Sequence, residues 1–157
     1  MPTPFLCESC LLRGTSYAES GKGITFKPED GEQARFFHLD IPPFRVQYHL
    51  EDKRVCDLLV EYRQRLSSRP MNLFTELKGG DLGDAQQQIA TAFGVLTEDL
   101  KACQDGVEFR ALVVASTASP GRHQTLQRQL HKLGFAGVWV KNGVKRGHRV
   151  DIRQYVT

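Results

Sequence analysis

No apolar run in this 157-residue chain approaches the ~20 residues a membrane-spanning helix needs. The N-terminal MPTPFLCESCLLRG has no basic stretch followed by a long apolar core, so no secretory signal is expected and the protein reads as cytoplasmic, with no membrane partner. Cys7-Glu8-Ser9-Cys10 is half of a zinc-ribbon spacing, and the other half is missing: there is no second CxxC and no HxxxH. The other two cysteines are Cys56 and Cys103, and in a cytoplasmic chain reduced thiols are expected rather than a disulfide framework. None of the five histidines, His38, His49, His123, His131 and His148, pairs with another at metal-ligand spacing, and no local signature supports a Cys–His hydrolase. No internal repeat is visible. Neither sign of charge dominates. A formal net charge of +3 permits nucleic-acid binding without requiring it, because it says little about patches.

What is present fits one domain with a true core: 40% hydrophobic residues, 25% charged residues and 14 glycines. Residues 1–34 are read as an irregular segment, with a short strand around Ile24 to Phe26. Strands are expected over Arg35 to Ile41, closed by Pro42-Pro43, and over Arg45 to Leu50, Val55 to Glu61 and Leu73 to Lys78. Asp81 then starts a helix whose apolar stripe runs through Leu82, Ala85, Ile89, Ala92, Phe93, Leu96 and Leu100, with a break near Gly94 or Thr97. Phe109 to Ser116 reads as a strand covered on both faces. After a turn at Ser119-Pro120-Gly121, a helix through Leu126, Leu130 and Leu133 ends at Gly134. Strands over Phe135 to Lys141 and Arg149 to Val156, joined across Asn142-Gly143, complete the order. The result is an α/β or α+β domain over 1–157, a mixed central sheet flanked by helices.

The stretch from Met71 to Ile89, MNLFTELKGGDLGDAQQQI, carries the chemistry. Alternation puts Phe74, Glu76 and Lys78 on one strand face and Leu73, Thr75 and Leu77 on the other. A carboxylate and an ammonium inside an otherwise buried strand are costly unless something uses them. Asp57 lies in the preceding strand, and pairing of the two strands would set it beside Glu76 and Lys78. Two carboxylates about 4 Å apart need a shared proton or a cation, and magnesium, with manganese as the substitute ion, takes such oxygen ligands. The Leu77 carbonyl offers a third oxygen. Lys78 would stabilise developing negative charge near a metal-bound water, and Gln88 on the next helix would point back at the cluster. The plainer alternative is an ion pair of Glu76 and Lys78 on a solvated edge.

Asp57, then Glu76-Leu77-Lys78, then a helix bearing Gln88, resembles the PD-(D/E)XK nuclease superfamily with its restriction-endonuclease-like fold. The string FTELKGGDLGDAQQQI looks like its small single-domain members. The resemblance covers roughly residues 55–116. It implies Asp57 and Glu76 as metal ligands, Lys78 as the catalytic lysine, and Mg²⁺-dependent hydrolysis of nucleic acid, DNA above all. Cys56 stands where the name has Pro. Many members carry a Glu on a first helix, and Glu32 is the nearest candidate although no helical pattern surrounds it. Arg63, Arg65 and Arg69 in one loop and Lys141, Lys145, Arg146 and Arg149 in another would contact phosphates around the site. Targeting would come from loops, a homodimer or a partner protein. The alternative from another class is a non-catalytic nucleic-acid-binding or assembly subunit of the same fold.

Overall fold

The computed structural model describes residues 8–78, 81–116 and 120–157, and of Glu8, Lys78 and Pro120 the backbone only. Cys7, Gly79, Gly80 and Ser119 lie outside the described residues. The order is β1 (Ser16–Glu19), β2 (Lys22–Thr25), β3 (Gln33–His38), α1 (Pro42–Gln47), β4 (Leu58–Arg63), β5 (Met71–Lys78), α2 (Leu82–Cys103), β6 (Glu108–Ala115), α3 (Pro120–Leu133), β7 (Gly137–Lys141), β8 (Arg149–Asp151) and α4 (Arg153–Val156). It is a mixed α/β architecture of the α+β kind.

Five strands in the order β3-β4-β5-β6-β7 make the main sheet. The first three form an antiparallel meander, and β5, β6 and β7 are parallel. Parallel neighbours need long crossovers, which α2 and α3 supply. Asp81 caps α2 by accepting from the Asp84 N–H at 3.1 Å. The helix runs unbroken through Gly94 and Thr97, against the expected split; Leu82, Ala85, Ile89, Ala92, Phe93, Leu96 and Leu100 are all buried, and that stripe outweighs one helical glycine. On this face Phe74 meets Phe93, Phe109 and Phe135.

The other face is not covered by a helix layer as expected. A second sheet, β1-β2-β8, with the short α4, packs Ile24, Phe26, Val150, Ile152 and Tyr155 over Leu58, Val60, Leu73, Leu112 and Val114. Residues expected to be irregular therefore build a sheet. β6, covered on both faces, is continuously apolar from Ala111 to Ala115 for that reason. Two other expectations fail. Residues 42–47 form α1 rather than a strand from Arg45: Pro42 and Pro43 occupy the first helical positions, where their fixed φ favours the helix. Phe44, fully buried, then stacks on Tyr48 one turn later, 4.9 Å between centroids. Nor do β7 and β8 form a hairpin. The Val144 N–H bonds Ala115 O at 3.1 Å, carrying the chain across the sheet end, and β8 pairs parallel to β2. Among the described residues no helix is long and apolar enough to cross a membrane.

Candidate active site

The β4–β5 ladder ends with Leu58 opposite Thr75, which leaves Asp57 and Glu76 facing each other one step beyond. Where a β4 carbonyl would continue the ladder, the Asp57 Oδ2 accepts from the Leu77 N–H instead, at 2.7 Å. In return the Asp57 N–H donates to Glu76 Oε2 at 3.2 Å. The two carboxylates are thus clasped at one sheet end, 5% and 4% exposed. A strand residue directs its N–H and C=O to the same neighbour, so the Leu77 carbonyl points to the Asp57 side as well.

Gln88, in the second turn of α2 and 3% exposed, closes the site from the helix layer. With its amide turned to satisfy both sides, it donates to the two Glu76 oxygens at 2.8 and 3.2 Å and accepts from Arg54 Nε and Nη2, both at 3.0 Å. Its backbone carbonyl accepts from the Cys56 N–H at 3.2 Å, which stitches the 54–56 segment to α2.

Burial, the Glu76 charge and then Glu19 push the Asp57 carboxyl up to about 8. Burial also raises the Cys56 thiol, with Glu76 and Asp57 adding to it. Glu19, at the end of β1 in the second sheet, adds to that upward push on Asp57. It also accepts from the Tyr17 hydroxyl at 3.2 Å, and that hydroxyl lies 3.0 Å from His38 Nε2. Burial depresses His38 and raises Tyr17. No local pattern marks Glu19 in the sequence; contacts distant in the chain, β2 on β8 and Tyr17 on His38, bring its hairpin here.

Lys78 ends β5 opposite Ala115, and its side chain lies outside the described residues. Register across the sheet aligns Leu77, Val114 and Lys141, so the 141–149 segment sits at the same end as Asp57 and Glu76. Lys141, Lys145, Arg146 and Arg149 are exposed there; Arg146 lies over Gly21 and Arg149 donates to Ser16 Oγ. The other basic loop does not flank the site as expected. Arg63, Arg65 and Arg69 follow β4 at the opposite end of the meander, about 17 Å away along β5 at ~3.3 Å per residue. Glu32 does not join the site either: it accepts from Arg153 at 2.9 and 3.0 Å and from Tyr62 Oη at 2.9 Å. Cys10 is disulfide-bonded, unlike the reduced thiols expected, while Cys56 and Cys103 are free. Trp139 packs against Tyr155 and over Gly137.

Two apposed buried carboxylates and a backbone oxygen suit a hard divalent cation, which would offset both the burial and the Glu76 charge that raise the Asp57 carboxyl. Among the described residues no group of three or more His, Cys, Asp or Glu side chains is arranged to hold an ion, so the protein ligands would number two side chains plus Leu77, with water and substrate completing the shell. No family model, curated protein or solved structure matches this chain. The site therefore rests on its own geometry.

Proposed function

We propose that this chain is a metal-dependent nuclease that hydrolyses phosphodiester bonds of DNA, a PD-(D/E)XK-type enzyme with a restriction-endonuclease-like core acting in the cytoplasm. One observation carries the reading: Asp57 and Glu76, from adjacent strands, are clasped together in a buried corner, the Asp57 carboxylate on the Leu77 N–H and the Glu76 carboxylate on the Asp57 N–H. The antiparallel meander followed by a helix and a parallel strand supports it, as does Gln88 on Glu76.

In this reading Asp57, Glu76 and the Leu77 carbonyl hold Mg²⁺ or Mn²⁺. Bound there, the ion supplies a water of lowered pKa and neutralises charge on the phosphate. Gln88 fixes the rotamer of Glu76, and Leu77 N–H fixes that of Asp57. Lys78, next along β5, is assigned the developing negative charge. A homodimer or a partner protein would supply targeting.

The second reading is a nucleic-acid-binding or assembly subunit that keeps the fold and does not cleave. Incubation with linear, circular, branched and single-stranded DNA, with Mg²⁺ and then EDTA, separates the two. An enzyme cuts reversibly with metal and loses cutting, but not binding, in Glu76→Ala and Lys78→Ala. Binding without any cutting by the native chain overturns the nuclease reading.

A further inference from the structure

Beside the acidic corner, on the outer side of Gln88, lies a groove of about 350 Å³ between the 53–54 segment and the first half of α2. Lys53, Arg54, Asp84, Gln87, Gln88 and Thr91 line it. Lys53 and Arg54 are exposed, and among the described residues neither is engaged in an ion pair. Elsewhere the arginines Arg35, Arg45, Arg110 and Arg153 all reach carboxylates. Arg54 instead spends Nε and Nη2 on a neutral amide oxygen, which orients the guanidinium and leaves three of its five N–H donors for something else. The walls offer a further neutral donor in the Gln87 amide, while the Thr91 hydroxyl donates to Gln87 O at 2.9 Å and Asp84, in the first turn of α2, adds one carboxylate.

We propose that Lys53 and Arg54 bind the backbone phosphate next to the one being cut, on the same strand, and that Gln88 couples this contact to Glu76. The proposal rests on the nuclease reading for which phosphate is meant, but its binding part stands by itself. Two cations without ion pairs, which outnumber the single Asp84 carboxylate in the lining, match a phosphodiester better than a carboxylate-rich peptide or an apolar ligand. Gln88 touches Arg54 with its oxygen and Glu76 with its nitrogen, so the groove and the acidic corner are two hydrogen bonds and one amide apart. A strand seated on Arg54 would thereby steady the carboxylate that holds the ion. The sequence shows only a charged turn at residues 51–54, and the role emerges from the Cys56–Gln88 stitch that folds this turn against α2.

The test uses the full chain and a labelled DNA duplex in EDTA, with Kd measured across a salt series. Lys53→Ala and Arg54→Ala should each weaken binding and reduce the slope of log K against log salt by about one. Lys101→Ala, exposed at the other end of α2, should leave the slope unchanged. In Mg²⁺, Lys53→Ala should raise KM alone, whereas Arg54→Ala should also lower kcat because Gln88 loses its partner. Unchanged Kd and slope in both variants overturn the groove whether or not the native chain cuts DNA. A reduced slope in a native chain that binds but never cuts supports the groove and overturns the nuclease reading alone.

Discussion

The two ends of the main sheet both bury charge, and they do so in opposite ways. At the end where β4 finishes, three carboxylates are held by arginines. Glu32 is gripped by Arg153 through two hydrogen bonds, Arg35 pairs with Glu61, and Arg110 pairs with Glu108 at 2.6 Å. Glu61 is further bonded by Gln104, which in turn holds Asn72 at 2.7 Å. At the end where β4 begins, Asp57 faces Glu76, and the next carboxylate to arrive is Glu19. Matched charges are what a structural site needs. Two carboxylates brought together in a buried corner make it costly to ionise both, and perturbed pairs of this kind cluster at functional sites.

Four measurements can break or sharpen this contrast. The largest effect is expected from Glu76→Gln, which should remove Mg²⁺-dependent cleavage by about 10³-fold, several kcal/mol of transition-state stabilisation, while the protein stays folded; a quantitative cleavage assay checks it. Next, Glu19→Gln should weaken the metal dependence of cleavage by about 10–100-fold, read from a Mg²⁺ titration, because a partner that orients a ligand has been neutralised. At the matched end, Glu32→Ala should lower stability by about 1–3 kcal/mol in urea unfolding with cleavage per folded molecule unchanged, since Tyr62 and Arg153 lose their acceptor.

The smallest effect, and the sharpest, is in the sign of the pH dependence. The Arg153 hydrogen bonds pull Glu32 down to about 2, so its contribution is present above the ordinary carboxylate range and is lost as pH falls toward 2. Asp57 is raised to about 8, so the folded state holds a proton that the unfolded chain releases, and this group's contribution is lost as pH climbs from about 4 to 8. Without metal, Asp57→Asn should raise the thermal midpoint at pH 8 and leave it unchanged at pH 4. Added Mg²⁺ should stabilise the native chain more at pH 8 than at pH 5.

The residues at the acidic end that could be read from the sequence are those whose placement is local. Asp57 and Glu76 stand in neighbouring apolar runs joined by a short loop, and Gln88 lies two turns into a strongly patterned helix. Glu19 and Arg54 could not be read in this way. Each reaches the corner through contacts made elsewhere, β2 on β8 for the first and Cys56 on Gln88 for the second. The same physics explains the misplaced strand at residues 45–50, where a Pro-Pro pair that can end a strand also starts α1. It explains the Asn142-Gly143 signal too. Gly143 does take a positive φ of 73°, but the turn it makes leads over the sheet rather than back along it. The basic loop at 63–69 was legible as basic, yet its end of the sheet could be fixed only by the register of β4 on β5.

The second sheet has a consequence for how the molecule is made. Arg149 meets Ser16 across 133 positions of chain, and β2 has no partner on that edge until β8 exists. At the usual ~5–20 residues per second of ribosomal synthesis, the hairpin bearing Glu19 waits on the order of ten seconds for its third strand. The second sheet is then the last part of the molecule to be completed, well after β4 and β5 have set Asp57 beside Glu76.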